Sequence, residues 1–270
     1  FWNKILWKED SEKTLKIARK IKPKLIVVDH YGLDAKWHHE LRSATKKIMV
    51  IDDLADRKFD CDMLLNQNLD TQIKDYKDKV PNDCELLLSC DYALLRPEFS
   101  NLREKALIKR QNTQEIKNIL ISMGGCDVDN KTYEILQDIS ANLNAVVVLG
   151  GSSPHNQMII NYAMDKENIT VLIDADNLSE LMFEADLAIG AGGSSSWERC
   201  CLGLPTLLYV LAENQRKIAD NFEQLNAVKI VDNLKVNLEE DDFGAGETAL
   251  HIAAKAEHKA MCELLYKNGV

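Results

Sequence analysis

Two glycine-rich turns gather the residues of this chain best suited to chemistry. Ile121-Ser122-Met123-Gly124-Gly125 and Ile189-Gly190-Ala191-Gly192-Gly193-Ser194-Ser195-Ser196-Trp197-Glu198 each follow a short apolar run and each lead into a helix-length segment. Glycine lets backbone amides approach a phosphate closely, and a helix start adds unpaired N–H groups and a favourable dipole. Gly124, Gly125, Gly193, Ser194 and Ser195 are therefore expected to hold a diphosphate. Glu198, one turn into the second helix, is placed to take the hydroxyls of a ribose. Neither turn has the G-x-G-x-x-G spacing of a dinucleotide fingerprint, and no Gly-Lys-Ser/Thr follows as a P-loop requires. The pair reads as a nucleotide-diphosphate clamp, with ordinary βα turns as the bland alternative.

Other polar residues collect at the ends of apolar runs: Asp29-His30-Tyr31-Gly32, Asp52-Asp53 and Asp174-Ala175-Asp176. Tyr31 reads as a sugar contact; His30 reads either as a base or as a satisfied structural residue. Asp52 and Asp53 read as cleft contacts or helix caps. Asn214 and Gln215 open a later helix, where Asn214 serves equally as an N-cap or as a diphosphate or sugar contact. Three D-x-D triplets, at Asp60/Asp62, Asp127/Asp129 and Asp174/Asp176, have the spacing of a metal site. A clamp made of backbone amides needs no metal, so neither metal nor cofactor is expected. His38-His39 are adjacent rather than four apart on a helix and read as surface residues. The seven cysteines form no C-x-x-C pair and read as buried free thiols of a reducing compartment.

A chain of 270 residues with 46% hydrophobic content can build one large or two modest cores. Lys+Arg 33 against Asp+Glu 43 gives a formal net charge of -10, which disfavours nucleic acid and anionic membrane, and no basic run overrides it. The longest apolar stretches are strand-sized, far short of the roughly 20 residues a bilayer span needs. No basic-then-apolar leader opens the chain, so a cytoplasmic protein with a small-molecule substrate is expected.

The elements that must position the turns follow from periodicity. Apolar runs at 25–28, 48–51, 119–122, 145–149, 169–173, 187–189 and 206–209 do not alternate, as strands buried on both faces should not. Helix-length segments at 11–21, 35–46, 130–141, 177–184 and 215–225 separate most of them. Alternation of this kind predicts an α/β fold with two Rossmann-like parallel-sheet domains, whose ligands bind at the carboxyl ends of the strands. A charge-rich segment between the halves puts the first domain at 1–112 and the second at 113–235. The first shows few strands and begins in mid-pattern, as if truncated at its start.

Residues 236–270 differ in kind. Thr248-Ala249-Leu250-His251-Ile252-Ala253 matches the ankyrin signature T-P-L-H-x-A with alanine for proline, and Leu264-Leu265 followed by Asn268-Gly269 fits the end of a second helix. One ankyrin-like helical hairpin is expected here. A single repeat cannot bury its own face, which implies docking on the body, further repeats or a protein partner.

Leu25-Ile26-Val27-Val28-Asp29-His30-Tyr31-Gly32, Ile51-Asp52-Asp53-Leu54-Ala55-Asp56-Arg57, Tyr92-Ala93-Leu94-Leu95-Arg96-Pro97-Glu98-Phe99 and the two glycine turns together resemble the PseG-type UDP-sugar hydrolases. The resemblance implies the GT-B fold, with UDP held mainly by the second domain and the sugar in the cleft. It implies release of UDP from UDP-2,4-diacetamido-2,4,6-trideoxy-β-L-altropyranose, by inverting attack of water, on the route to pseudaminic acid. It also implies that the backbone of Ile173 meets the uracil edge. The family's Gly-x-Gly-His-x-x-Arg loop, whose histidine is regarded as the base, has no match in this sequence. A UDP-sugar glycosyltransferase and a non-catalytic nucleotide-sugar or partner-binding module are the rival readings.

Overall fold

A computed structural model describes residues 6–113 and 115–231. It forms two compact units that meet in sequence between Leu94 and Leu95. The first contains α1 (Trp7–Ile21), β1 (Leu25–Asp29), α2 (Ala35–Leu41), β2 (Lys47–Ile51), β3 (Met63–Asn66) and β4 (Glu85–Leu88). Its four strands are parallel, in the order β1-β2-β3-β4. Lys22 turns into the left-handed conformation to end α1, with Pro23 behind it, and Asp34 caps α2 by accepting from the Lys36 amide. Val28, Ile48, Val50 and Leu64 pack against Ala18, Trp37 and Leu41 of the two helices.

The second unit contains α3 (Pro97–Asn112), β5 (Asn118–Ser122), α4 (Lys131–Asp138), β6 (Asn144–Leu149), α5 (Asn156–Ala163) and β7 (Ile169–Ile173). It continues with α6 (Leu178–Glu184), β8 (Leu187–Ala191), α7 (Ser195–Cys201), β9 (Thr206–Tyr209), α8 (Glu213–Gln224) and β10 (Lys229–Ile230). The six parallel strands lie in the order β7-β6-β5-β8-β9-β10. From β5 the chain winds outward through β6 and β7; it then returns to β8 and winds the other way. That is the doubly wound order, with its topological switch point between β5 and β8. Ile119, Ile121, Val147, Leu187 and Leu207 form the core on one face, and Leu120, Ala188, Met182 and Phe99 that on the other.

The sequence placed the domain boundary near residue 112; the structure assigns α3 to the second unit. Phe99, Ala106 and Arg110 of that helix are buried. Arg110 donates to the carbonyls of Met182, Phe183 and Ala185, and Lys109 donates to those of Phe183 and Glu184. The two cations thereby satisfy the carbonyls left open at the end of α6. Strands β3 and β4, absent from the sequence reading, complete the first sheet. Among the described residues no helix is long and apolar enough to cross a membrane. The expected ankyrin-like hairpin at 236–270 lies outside the described residues.

Candidate functional site

At the switch point β5 and β8 run side by side, Ser122 in register with Gly190, so both glycine turns leave the sheet at the same place. Gly124 takes φ +83, a conformation that side chains rarely adopt. A Cβ on Gly150, just past β6, would run into the carbonyl of Gly125. Ser152 Oγ donates to that same carbonyl at 3.2 Å, and the Gly151 amide donates to Asp174 Oδ1 at 2.7 Å. The loops after β5, β6 and β7 are thus locked together and present Gly124-Gly125 at the sheet edge. A Cβ on Gly124, Gly125 or Gly193 would meet nothing within 4 Å, so the backbone at these positions is open to approach.

Beyond β8, Gly193 and Ser194 lead directly into α7: the Ser196 amide donates to Gly193 O at 2.9 Å and the Trp197 amide to Ser194 O at 3.1 Å. Glu198 lies one turn further, partly buried, with Oε1 3.5 Å from Arg96 Nη2; Arg96 Nη1 is in turn 3.1 Å from Glu98 Oε1. Burial raises the Glu198 carboxyl above its ordinary value, while Arg96 and Arg199 pull it down. Gln215 packs against Gly192, and its Oε1 accepts from the Leu211 amide at 3.0 Å. Helix α8 is capped at Ala212, which removes the N-cap reading of Asn214; the Asn214 side chain lies outside the described residues. Ile173 closes the edge strand β7 with its side chain 46% exposed.

The sequence reading overlooked two arginines in this region. Arg96 holds Glu198, and buried Arg199 donates to Ala191 O and to the hydroxyls of Ser195 and Ser196. An arginine followed directly by the apolar run Cys200-Cys201-Leu202 was the available signal.

In the first unit, Tyr31 and Asp53 stand at the ends of β1 and β2, and Tyr31 Oη donates to Asp53 Oδ2 at 3.2 Å. Burial, with Asp53 beside it, pushes the Tyr31 phenol up to about 12, and burial also raises the Asp53 carboxyl. His30 Nδ1 accepts from the Gly32 amide at 3.0 Å. The neutral ring therefore carries its proton on Nε2, which makes His30 a donor toward its surroundings. Asp52 is buried and committed inward. Its Oδ2 accepts from the Ala55 amide and from Tyr76 Oη, and Arg57 Nη1 lies 2.9 Å from Oδ1 as a charge contact outside hydrogen-bond geometry.

The acidic triplets have structural partners. Asp127 accepts from the Lys131 and Thr132 amides at the start of α4, Asp60 and Asp62 bracket Arg42, and Asp174 holds Gly151. His38, read as a surface residue, is instead buried and stacked on Phe59; it accepts from the Asp60 amide through Nδ1, and desolvation pushes it down to about 4. Only His39 of that pair is exposed. Of the described cysteines none is in a disulfide; Cys61, Cys90, Cys200 and Cys201 are buried, whereas Cys84 is half-buried and Cys126 is exposed beside the Gly125 turn.

Residues 109–241 match the Glycosyltransferase family 28 C-terminal domain, and residues 245–270 match the Ankyrin repeat. An uncharacterized protein of Methanocaldococcus jannaschii is 28% identical over 262 residues, 92% of this chain and 52% of that protein. The UDP-2,4-diacetamido-2,4,6-trideoxy-beta-L-altropyranose hydrolase of Campylobacter jejuni is 28% identical over 181 residues, 67% of this chain and 64% of the hydrolase. The spore coat polysaccharide biosynthesis protein SpsG of Bacillus subtilis is 31% identical over 143 residues, 51% of this chain and 41% of SpsG. The chain therefore spans less than two thirds of the length of each of these relatives. Arabidopsis thaliana UGT89C1, solved complexed with UDP, matches with a TM-score of 0.61 at 11% identity, over 96% of this chain and 74% of that one, a likeness of fold alone. These matches and the two parallel sheets give the chain an α/β fold of the GT-B type, with similarity to the Campylobacter hydrolase, to SpsG and, over residues 109–241, to the Glycosyltransferase family 28 C-terminal domain.

Proposed function

We propose that the chain binds the UDP moiety of a sugar nucleotide at the carboxyl ends of β5 and β8. In this reading it hydrolyses a UDP-linked diacetamido-trideoxy sugar to free sugar and UDP, by inverting attack of water at the anomeric carbon, in pseudaminic acid biosynthesis. The observation that carries the reading is the convergence of both glycine turns on the switch point, with Glu198 one turn beyond. Backbone amides at Gly124, Gly125, Gly193, Ser194 and Ser195 would stabilise the departing diphosphate, a good leaving group that needs no strong general acid. Glu198 would take the ribose hydroxyls in place of Arg96, Ile173 the uracil edge, and Gln215 with Asn214 the diphosphate or sugar amides.

For the first unit the proposed sugar contacts are Tyr31 and Asp53. Asp53 has a carboxyl raised by partial desolvation, which suits it to accept a proton better than His30, whose Nδ1 is already occupied. The test is UDP release from the nucleotide sugar with water as the sole acceptor. Turnover under those conditions supports hydrolysis; release that requires an added sugar or lipid acceptor favours the second reading, a UDP-sugar glycosyltransferase, which the family 28 match supports. UDP binding without turnover under either condition favours a non-catalytic module. For 236–270 we propose an accessory protein-binding role. Deletion of that segment is expected to leave UDP affinity within about twofold while changing oligomeric state or solubility, and a large loss of affinity in a folded deletion would overturn it.

A further inference from the structure

Arg199 is 2% exposed, yet no described ion pair joins it to a carboxylate. Its guanidinium meets only neutral oxygens. Nη2 donates to Ala191 O at 2.9 Å and to Ser196 Oγ at 2.9 Å, and Nη1 donates to Ser195 Oγ at 3.2 Å. Nε has no hydrogen-bond partner. Glu198, the carboxylate next to it in sequence, is engaged by Arg96 instead. Burial lowers the guanidinium to about 10, which keeps it charged at neutral pH. Glu198 favours this charge only through space, without an ion pair to it, and a desolvated cation is costly unless a paired anion answers it.

The position of this charge is specific. A Cβ on Gly190 would stand 2.8 Å from Arg199 Nη1 and 2.9 Å from Ser122 O, so the guanidinium lies directly against the paired ends of β5 and β8. It also dictates the state of two hydroxyls. An arginine only donates, so it occupies a lone pair on each serine and turns the hydroxyl hydrogens away from itself. Ser196 is buried and its Oγ also accepts from the Gly193 amide at 3.4 Å. Ser195 is half-buried, at the surface end of the same turn. Its hydrogen is the one that can turn outward.

We propose that Arg199 is a positioning residue that fixes Ser195 as a hydroxyl donor and supplies the buried positive charge for a diphosphate at the carboxyl ends of β5 and β8. This inference rests on the nucleotide-binding reading of that edge. It predicts that the diphosphate, rather than the nucleoside, depends on Arg199.

The experiment titrates the full chain and its variants by calorimetry with inorganic pyrophosphate, UDP and uridine. Arg199→Met should weaken pyrophosphate and UDP by about tenfold to hundredfold, the range of a lost charge-assisted hydrogen bond, and leave uridine within about twofold. Arg199→Lys, which keeps the charge, should recover most of that loss. Ser195→Ala should weaken pyrophosphate by about threefold to tenfold, as one neutral hydrogen bond would, in a protein that still folds but melts lower because Arg199 Nη1 loses its partner. A folded Arg199→Met protein that binds pyrophosphate as the parent does, or that loses uridine in step with pyrophosphate, overturns the proposal. If Arg199→Met does not fold, Ser195→Ala decides, and unchanged pyrophosphate affinity overturns it. A parent protein that binds pyrophosphate in an Arg199-dependent way but UDP no more tightly upholds the anion site and refutes the nucleotide reading. A parent that binds neither refutes both.

Discussion

At the carboxyl edge of the first sheet, β1 and β2 end in Asp29 and Asp52-Asp53, whereas the switch point of the second sheet offers Gly124, Gly125, Gly193, three serines and buried Arg199. The first edge is closed by side chains bonding one another: Asp52 with Arg57 and Tyr76, Tyr31 with Asp53, Asn66 with Tyr76. The second is held mainly by bonds to backbone carbonyls, and its cation makes no ion pair with an acid among the described residues. Carboxylates accept from hydroxyl and amide donors and repel phosphate, while open amides with a buried guanidinium do the reverse. The same kind of strand end is therefore suited to opposite ligands, the first to neutral donor groups of a sugar and the second to an anion.

The harshest way to break this contrast is to remove Arg57. Its guanidinium contacts buried Asp52 and donates to the carbonyls of His30 and Leu33. Removing one partner of a buried pair costs about 3–5 kcal/mol, so Arg57→Met should lower stability to denaturant by that amount. UDP affinity of the remaining folded protein should hold within about twofold, since the proposed UDP contacts all lie in the second unit. A loss below about 1 kcal/mol would mean that the first edge is solvated rather than closed.

A smaller effect tests the second edge. Glu198→Ala should weaken UDP by about tenfold to hundredfold, equivalent to about 1.5–3 kcal/mol for a charge-assisted contact. Arg96→Ala, which frees the same carboxylate from its ion pair, should leave UDP affinity equal or higher. Should calorimetry find Glu198→Ala unchanged, the carboxylate serves Arg96 and not a ribose.

The second unit was the more legible half. Its strands are β-branched runs such as Ile119-Leu120-Ile121 and Val146-Val147-Val148, each bounded by glycine or acid, so period and punctuation agree. β3 and β4 are Met63-Leu64-Leu65-Asn66 and Glu85-Leu86-Leu87-Leu88, residues with no strand preference; only pairing, of β3 with β2 and of β4 with β3, makes them strands. Helix α3 carries six charges among its 16 residues and reads as a linker, because what fixes it is Arg110 reaching the distant carbonyls of α6. The site was legible where it depends on backbone, at the two glycine turns. It was hidden where a polar side chain is committed to a non-local partner: Asp52 to Tyr76, His38 to Phe59, Arg199 to Ala191.

The smallest effect probes whether the Tyr31–Asp53 pair at the first edge works as a charged hydrogen bond. Tyr31 is 41% exposed, so Tyr31→Phe should cost only about 0.5–1 kcal/mol at pH 7, the low end for one such bond. The pH dependence carries the information. Burial raises the Asp53 carboxyl and the Tyr31 bond opposes that rise, so removing the hydroxyl should move Asp53 further up, visible in the carboxyl carbon resonance. A carboxyl raised in the folded state contributes stability that is full below its unfolded value and lost as pH climbs through the folded one. The tyrosine bond limits that loss, so parent and variant should converge as acidification protonates Asp53. At the alkaline end the phenol stays neutral to about 12, and its contribution is complete below pH 10 and falls away between 10 and 12. Urea titrations of both proteins at pH 4, 7 and 11 should therefore show the largest difference at neutral pH. A difference that does not vary across the three would mean that Tyr31 acts by packing alone, and Asp53 would lose its case as a proton acceptor tuned by its neighbour.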